Sequence, residues 1–247
     1  RRIDRYVPQC EMKSFQFKYF QVDQRNDVHK VGTDAMLLGA LASHEQPRRI
    51  LDVGTGTGVV AIMIAQRYPN AYVTGIDVQS QAAQLADKNF KNSSFADRLK
   101  AITTSIEDVN VKEKYDLIVS NPPFFANDYH SSSATRNIAR HDMKFSFNLF
   151  FQTISRVLEQ TGSCTLIVPV DQKKVVQEEA LCYGLAMSRE QVINGKPDRP
   201  IRIILTFILK NRWDAFETIR PLTIRDREGR YTVNYKALTN MFHGKKL

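Results

Sequence analysis

The sequence predicts a doubly wound α/β fold: a mostly parallel, seven-stranded sheet with an antiparallel edge pair and short extensions at both ends of the chain. Three observations carry the prediction. Five short runs rich in Val, Ile and Leu are apolar on consecutive positions, as in strands covered on both faces. Helical segments separate them, so strand and helix alternate about five times. After residue 184 the alternation gives way to two strand-like runs separated by a turn.

The parallel strands read in order as RRILDVG (48–54), AYVTGIDV (71–78), LKAITTS (99–105), YDLIVSN (115–121) and SCTLIVPV (163–170). Helices are expected over 58–68, where Val59, Ile62, Met63 and Ala65 share a face, and over 80–92, 144–159 and 171–183. LAMSREQVI and RPIRIILTFIL, connected through the turn-prone NGKPDRP, form the antiparallel pair that closes the sheet edge. The tail offers a further strand, a turn at Asp226 to Gly229 and a short helix near Tyr235 to Phe242. No internal repeat or low-complexity segment interrupts this plan.

A chain of 247 residues with 43% hydrophobic content can bury a sizeable core. No run approaches the roughly 20 apolar residues that a membrane span needs. Cys10, Cys164 and Cys182 are odd in number and widely spaced, which fits reduced thiols in the cytoplasm and gives no ligand set for a metal. The net charge of +9 is unevenly placed. Residues 1–30 carry 7 Lys and Arg against 4 Asp and Glu, and residues 196–247 carry 12 against 5, around a nearly neutral middle. Basic ends around a neutral centre suggest a rim that meets a polyanion, with plain solubility as the alternative.

LDVGTGTGVVAIMIA places Asp52 at a strand end, then Gly54, Gly56 and Gly58, then a helix. Glycines there allow a tight turn and a close approach of ligand to backbone. Asp77 ends the next strand, where a carboxylate can accept both hydrogens of a ribose diol. That arrangement suits any adenosine-type cofactor, a nicotinamide dinucleotide or S-adenosyl-L-methionine. The spacing G-x-G-x-G, in place of G-x-G-x-x-G, and the aspartate before it bear on the choice, as does the fourth strand.

That strand ends in SNPPFF, with Asn121 at a carboxyl end where ligands of doubly wound sheets sit. An exocyclic ring amine is a poor nucleophile because its lone pair is delocalised. The side-chain oxygen of Asn121 and the carbonyl of Pro122 can each accept one amino hydrogen and hold the nitrogen toward a methyl sulfonium. Pro122 and Pro123 stiffen the turn, and Phe124 offers a face for a planar ring to stack on.

In combination these motifs resemble the class I S-adenosylmethionine-dependent methyltransferases of the branch with an NPP-aromatic tetrapeptide, and so a Rossmann-like methyltransferase sheet. Within that branch FQFKYFQVDQRNDVHKVGTDAMLLGALA (15–42) and LTIRDREGRYTVNYKALTNMF (222–242) resemble the bacterial tRNA1(Val) (adenine-37-N6)-methyltransferase family. The resemblance implies that Thr33 and Asp34 start a helix over the methionine end of the cofactor. It implies that Asp52, Gly54, Gly56 and Gly58 hold the amino-acid part and Asp77 the ribose. Ser105, with Asp108 close behind, stands where relatives often place an acid against the adenine. Phe125, Arg136 and Arg140 follow as candidate substrate contacts, the arginines toward phosphate.

The expected function is therefore S-adenosyl-L-methionine-dependent N6-methylation of an adenine in RNA, foremost adenine 37 in the anticodon loop of tRNA(Val), by a cytoplasmic monomer that uses neither membrane nor metal. Residues 1–247 are expected to form a single methyltransferase domain, with 1–45 covering the cofactor, 46–211 as the catalytic core and 212–247 as a basic extension. The alternatives are a ribosomal RNA or DNA adenine, a release-factor glutamine, or a catalytically silent RNA-binding module.

Overall fold

The computed structural model describes residues 13–25, 28, 30–123, 145–211 and 216–243. A ribbon of β1 (Lys13–Gln16) and β2 (Gln21–Gln24) leads into α1 (Thr33–Leu41). Then come β3 (Arg49–Val53), α2 (Val59–Arg67), β4 (Tyr72–Asp77), α3 (Ser80–Lys91), β5 (Leu99–Thr103) and β6 (Tyr115–Ser120). Helix α4 (Phe147–Val157) runs directly into β7 (Leu158–Pro169), followed by α5 (Lys173–Cys182), β8 (Leu185–Lys196), β9 (Arg199–Leu209), β10 (Glu217–Thr223) and α6 (Val233–Thr239).

The strands from β3 to β10 form one sheet in the order β10-β8-β9-β7-β6-β3-β4-β5. The five strands expected to be parallel are parallel, and β9 runs antiparallel to both β7 and β8. The sheet has eight strands where the sequence suggested seven, because β10 pairs in parallel with β8 and takes the edge from it. Its composition suits an edge: Pro221 cannot donate to a ladder, and the register shifts between Ile219 and Leu222.

Two apolar layers cover the sheet. On one face α1, α2, α3 and α6 bury Leu37, Ile62, Met63, Phe90 and Tyr235, joined by Phe17 and Phe20 from the β1–β2 ribbon. On the other, α4 and α5 bury Phe150, Phe151, Ile154 and Val176 against Phe207 of β9. The spacing of Phe150, Phe151, Ile154 and Val157 draws one stripe along α4, and Ser146 caps its start by accepting from the Leu149 amide at 3.3 Å. Truncating either fully buried phenylalanine to alanine would cost about 3–5 kcal/mol.

Two arginines finish helices and are spent on that task. Arg67 donates to the carbonyls of Gly39 and Ala42 at the end of α1, and Arg98 donates to those of Ala65, Tyr68 and Ala71 around the end of α2. Described residues from the early and late parts of the chain meet. Phe17 bridges to His243, and the Lys18 amide donates to the Phe242 carbonyl at 2.8 Å. No helix among the described residues is long and apolar enough to cross a membrane.

Candidate active site

The site is built at the carboxyl ends of β3, β4, β5 and β6. Beyond Val53 the chain turns through Gly54, Gly56 and Gly58, all with positive φ, into α2. The three glycines divide the work. A side chain added at Gly54 or Gly56 would meet no described atom within 4 Å, whereas one at Gly58 would lie 2.4 Å from the Phe90 ring. Gly54 and Gly56 thus leave backbone open to a ligand, and Gly58 lets α2 pack against α3.

Hydrogen bonds fix the loop. The amides of Gly54 and Thr55 both donate to the Ile76 carbonyl at 2.9 Å, and the Gly56 amide donates to Asp77 Oδ2 at 3.0 Å. Asp77 Oδ1 accepts from the Gln79 amide at 3.0 Å. Each oxygen of Asp77 keeps a further acceptor position, so the side chain can brace the loop and still receive ribose hydroxyls.

Asp52 lies beneath the loop, 2% exposed, and its Oδ2 accepts from the Thr55 hydroxyl at 2.7 Å. Burial pushes its carboxyl up to about 7; the Thr55 hydrogen bond opposes that rise and the charge of Asp77 adds to it. Just beyond β5, the Thr104 amide donates to the Asp77 carbonyl at 3.0 Å, which brings the following turn beside β4. In that turn Ser105 Oγ donates to Asp108 Oδ2 at 2.9 Å.

Asn121 reaches the same place through strand register. Val53 faces Ser120, so the next residues along each strand, Gly54 and Asn121, stand side by side. The buried Ser120 hydroxyl ties the strands together by donating to the Val53 carbonyl at 2.8 Å. Asn121 is half-buried, Pro122 buried and Pro123 exposed. Phe124, Phe125, Arg136 and Arg140 lie outside the described residues.

Thr33 and Asp34 are placed differently from each other. Gly32 occupies the cap position of α1 without a side-chain hydrogen bond, and Thr33 is exposed as the first helical residue. Asp34 Oδ2 accepts from Arg202 Nε at 2.8 Å, which anchors α1 to β9. Arg202 pairs with Pro169 at the carboxyl end of β7, so Asp34 stands at the same end of the sheet as Asn121.

Sequence reasoning missed Asn89 of α3. It is 1% exposed, donates to the carbonyls of Thr57 at 2.8 Å and Asp23 at 3.0 Å, and accepts from the Asp23 amide at 2.9 Å. One amide therefore joins β2 to the glycine loop. Its signal was a polar residue on a stripe otherwise made of Ala82, Leu85, Ala86 and Phe90.

The residues present fit S-adenosyl-L-methionine. Open backbone at Gly54 and Gly56 leaves room for a ligand, and Asp52, Asp77 and Asp108 suit one that is cationic and carries hydroxyl groups. No group of three or more His, Cys, Asp or Glu among the described residues is placed to hold a metal ion. A separate cavity of about 1000 Å³, lined by Ser43, His44, Thr161 and Arg189 among others, lies at the opposite end of the sheet and shares no residue with this cleft.

Such a sheet and such a cleft define a class I S-adenosylmethionine-dependent methyltransferase, and the family model described as "Methyltransferase small domain" matches residues 28–169. Among relatives, a tRNA1(Val) (adenine(37)-N6)-methyltransferase of Pedobacter heparinus is 37% identical over 230 residues, covering 93% of this chain and 97% of its own. One from Parabacteroides distasonis is 37% identical over 235 residues, with 93% and 97% covered. The chain belongs to the tRNA1(Val) (adenine(37)-N6)-methyltransferase family, within the methyltransferase small domain family.

Solved structures agree on the fold. A predicted O-methyltransferase from Agrobacterium tumefaciens superposes with a TM-score of 0.65 at 20% identity, over 85% of this chain and 96% of that one. The O-methyltransferase of a Brevibacillus brevis trans-AT PKS multienzyme, crystallised with S-adenosyl-L-homocysteine, gives 0.52 at 15% identity, with 73% of each covered.

Proposed function

We propose that this chain methylates N6 of adenine 37 in tRNA1(Val), with S-adenosyl-L-methionine as methyl donor. The observation that carries the reading is the register of β3 against β6, which sets Asn121 beside Gly54. An amide able to hold an amino group thereby stands next to the loop able to hold the donor. The choice of tRNA is supported by the activity named for relatives that match 93% of the chain.

The donor supplies an electrophilic methyl group on a positively charged sulfur. Asn121 Oδ1 and the Pro122 carbonyl accept the two hydrogens of the adenine amine and turn its lone pair out of the ring. The buried Pro122 and its neighbour Pro123 fix φ, so that carbonyl stays aimed. Phe124 is assigned the stacking face for the base, which must leave its neighbours to enter; a single-stranded loop lowers that cost to a few kcal/mol or less. The amine loses its proton to water after transfer, and no residue has to act as a base. The chain is assigned here as a cytoplasmic monomer and as one domain over 1–247; the single domain is supported by the pairing of Phe17 with His243.

Purified protein, labelled S-adenosyl-L-methionine and unmodified tRNA1(Val) test the proposal, with nucleoside mass spectrometry locating the methyl group. Asn121→Ala is expected to lower turnover about 10²- to 10³-fold, by analogy with a lost oxyanion-hole donor, and to leave donor affinity within a few fold. Wild-type turnover in that variant would overturn the role given to Asn121.

A further inference from the structure

The carboxyl end of the sheet continues past the cleft into a cationic rim. Because Pro169 of β7 pairs with Arg202 of β9, and Lys196 of β8 with Arg199, the β8–β9 hairpin turns at the active end. The same end receives the chain beyond β10, where the Arg225 amide donates to the Gly195 carbonyl at 3.1 Å. Segments far apart in sequence thus gather Lys196, Arg199, Arg225 and Arg227.

Among the described residues these cations differ from their neighbours in having no ion-pair partner. Arg202 is paired with Asp34, Lys173 with Glu190, and Arg230 with Asp226 and Glu228. Lys196, Arg199 and Arg227 are exposed, and none of them has an ion-pair partner among the described residues. Asp198, the turn residue with φ 58°, is the one carboxylate in the hairpin tip. Arg225 is held in place. Its guanidinium lies 4.1 Å over the Tyr231 ring, its Nη1 donates to the Gly229 carbonyl at 2.7 Å, and Tyr231 stacks at 4.9 Å on the buried Tyr235. A planar cation fixed on an aromatic face loses little freedom when it meets a phosphate.

We propose that this rim, formed by the β8–β9 hairpin and the β10–α6 turn, binds backbone phosphates of the RNA whose target base enters the cleft. The proposal rests on the tRNA reading above. Strands β8 and β10 are the third and fourth from β6, which at about 4.8 Å per strand puts the rim roughly 14–19 Å from Asn121. That is outside the base pocket and within the footprint of a folded RNA stem. Scattered surface lysines would give no such grouping at one end of the sheet.

The test compares two variants of equal charge loss. Lys196→Gln/Arg199→Gln/Arg227→Gln removes the rim, and Arg48→Gln/Lys100→Gln/Lys210→Gln removes three exposed cations at the opposite end of the sheet, where β3 and β5 begin and the antiparallel β9 ends. The rim variant is expected to raise KM for tRNA at least 10-fold and to flatten the log affinity against log salt slope by about 2, near 0.7–0.9 per lost phosphate contact. Its kcat at saturating tRNA and its S-adenosyl-L-methionine affinity are expected to stay within 2-fold of wild type. The control variant is expected to stay within 2-fold throughout. Equal weakening in both variants, or unchanged KM in the rim variant, would overturn the rim while leaving the tRNA reading intact. A wild-type protein that binds S-adenosyl-L-methionine yet methylates no tRNA would overturn the reading itself and the rim with it.

Discussion

Asp52 carries opposing demands. Its carboxyl sits under the glycine loop with almost no water, and burial raises it to about 7, far above its ordinary 3.8. A folded-state value above the unfolded one means that the stability is fully present below about pH 4 and is lost as pH rises through about 7. Asp52→Asn is therefore expected to melt at a higher temperature than wild type at pH 8 without ligand, with the gap closing as pH falls toward 4. Thermal unfolding across that range checks the sign. The same variant is expected to bind S-adenosyl-L-methionine more weakly, since the ionised carboxylate is what a cationic ligand rewards. The sequence displayed Asp52, the glycines and Asp77 as a motif, yet it could not separate Gly58 from Gly54. That distinction depends on Phe90, which approaches Gly58 only after α2 and α3 have packed. Likewise Asp34 was visible as a carboxylate, and its partner Arg202 stands 168 residues away.

At the scale of elements, the glycine loop is held from two sides. Asp77 braces it from β4, and Asn89 of α3 connects it to the β1–β2 ribbon. Asn89→Leu keeps the branched shape of the side chain and strips three hydrogen bonds from backbone groups of Asp23 and Thr57. A loss of about 2–4 kcal/mol in urea unfolding is expected, together with faster amide exchange in Gln21–Gln24. Unchanged exchange in β2 would show that the ribbon is held by Phe17, Phe20 and Val22 alone. The parallel strands were legible because burial on both faces forces continuous apolar runs. The β1–β2 ribbon had no such signature, being four residues per strand and largely exposed. Strand β7 begins at Leu158, directly after α4, where no Gly or Pro marks the change. For that reason the apolar run SCTLIVPV places its start at Ser163, five residues late.

For the whole molecule, the two thiols among the described residues report on different things. Cys164 is fully buried in β7 beneath α4, and burial drives its thiol far above the ordinary range; Cys182 at the end of α5 is exposed. In a Cys10→Ser background, iodoacetamide is expected to label Cys182 promptly and Cys164 only at the rate of global opening. Labelling of Cys164 that stays fast when ligand stabilises the fold would mean that β7 opens locally. Composition locates the charge toward both ends of the sequence, but only the sheet order explains why part of the C-terminal excess, Lys196, Arg199, Arg225 and Arg227, gathers at the same end of the sheet as the cleft: β8, β9 and β10 all turn or finish there.

The seam between Phe17 and His243 bears on the order of assembly. During synthesis every residue assigned to the cleft has left the ribosome well before Phe242 appears, yet Phe17 and Phe20 belong to the same apolar layer as Phe242, Tyr235 and α1. One face of the sheet is finished only when a late stretch of the chain returns to one made more than 200 residues before it. A shortened chain that kept Asp52, Asp77 and Asn121 but stopped before α6 would carry the full set of cleft residues on a scaffold missing its closing piece.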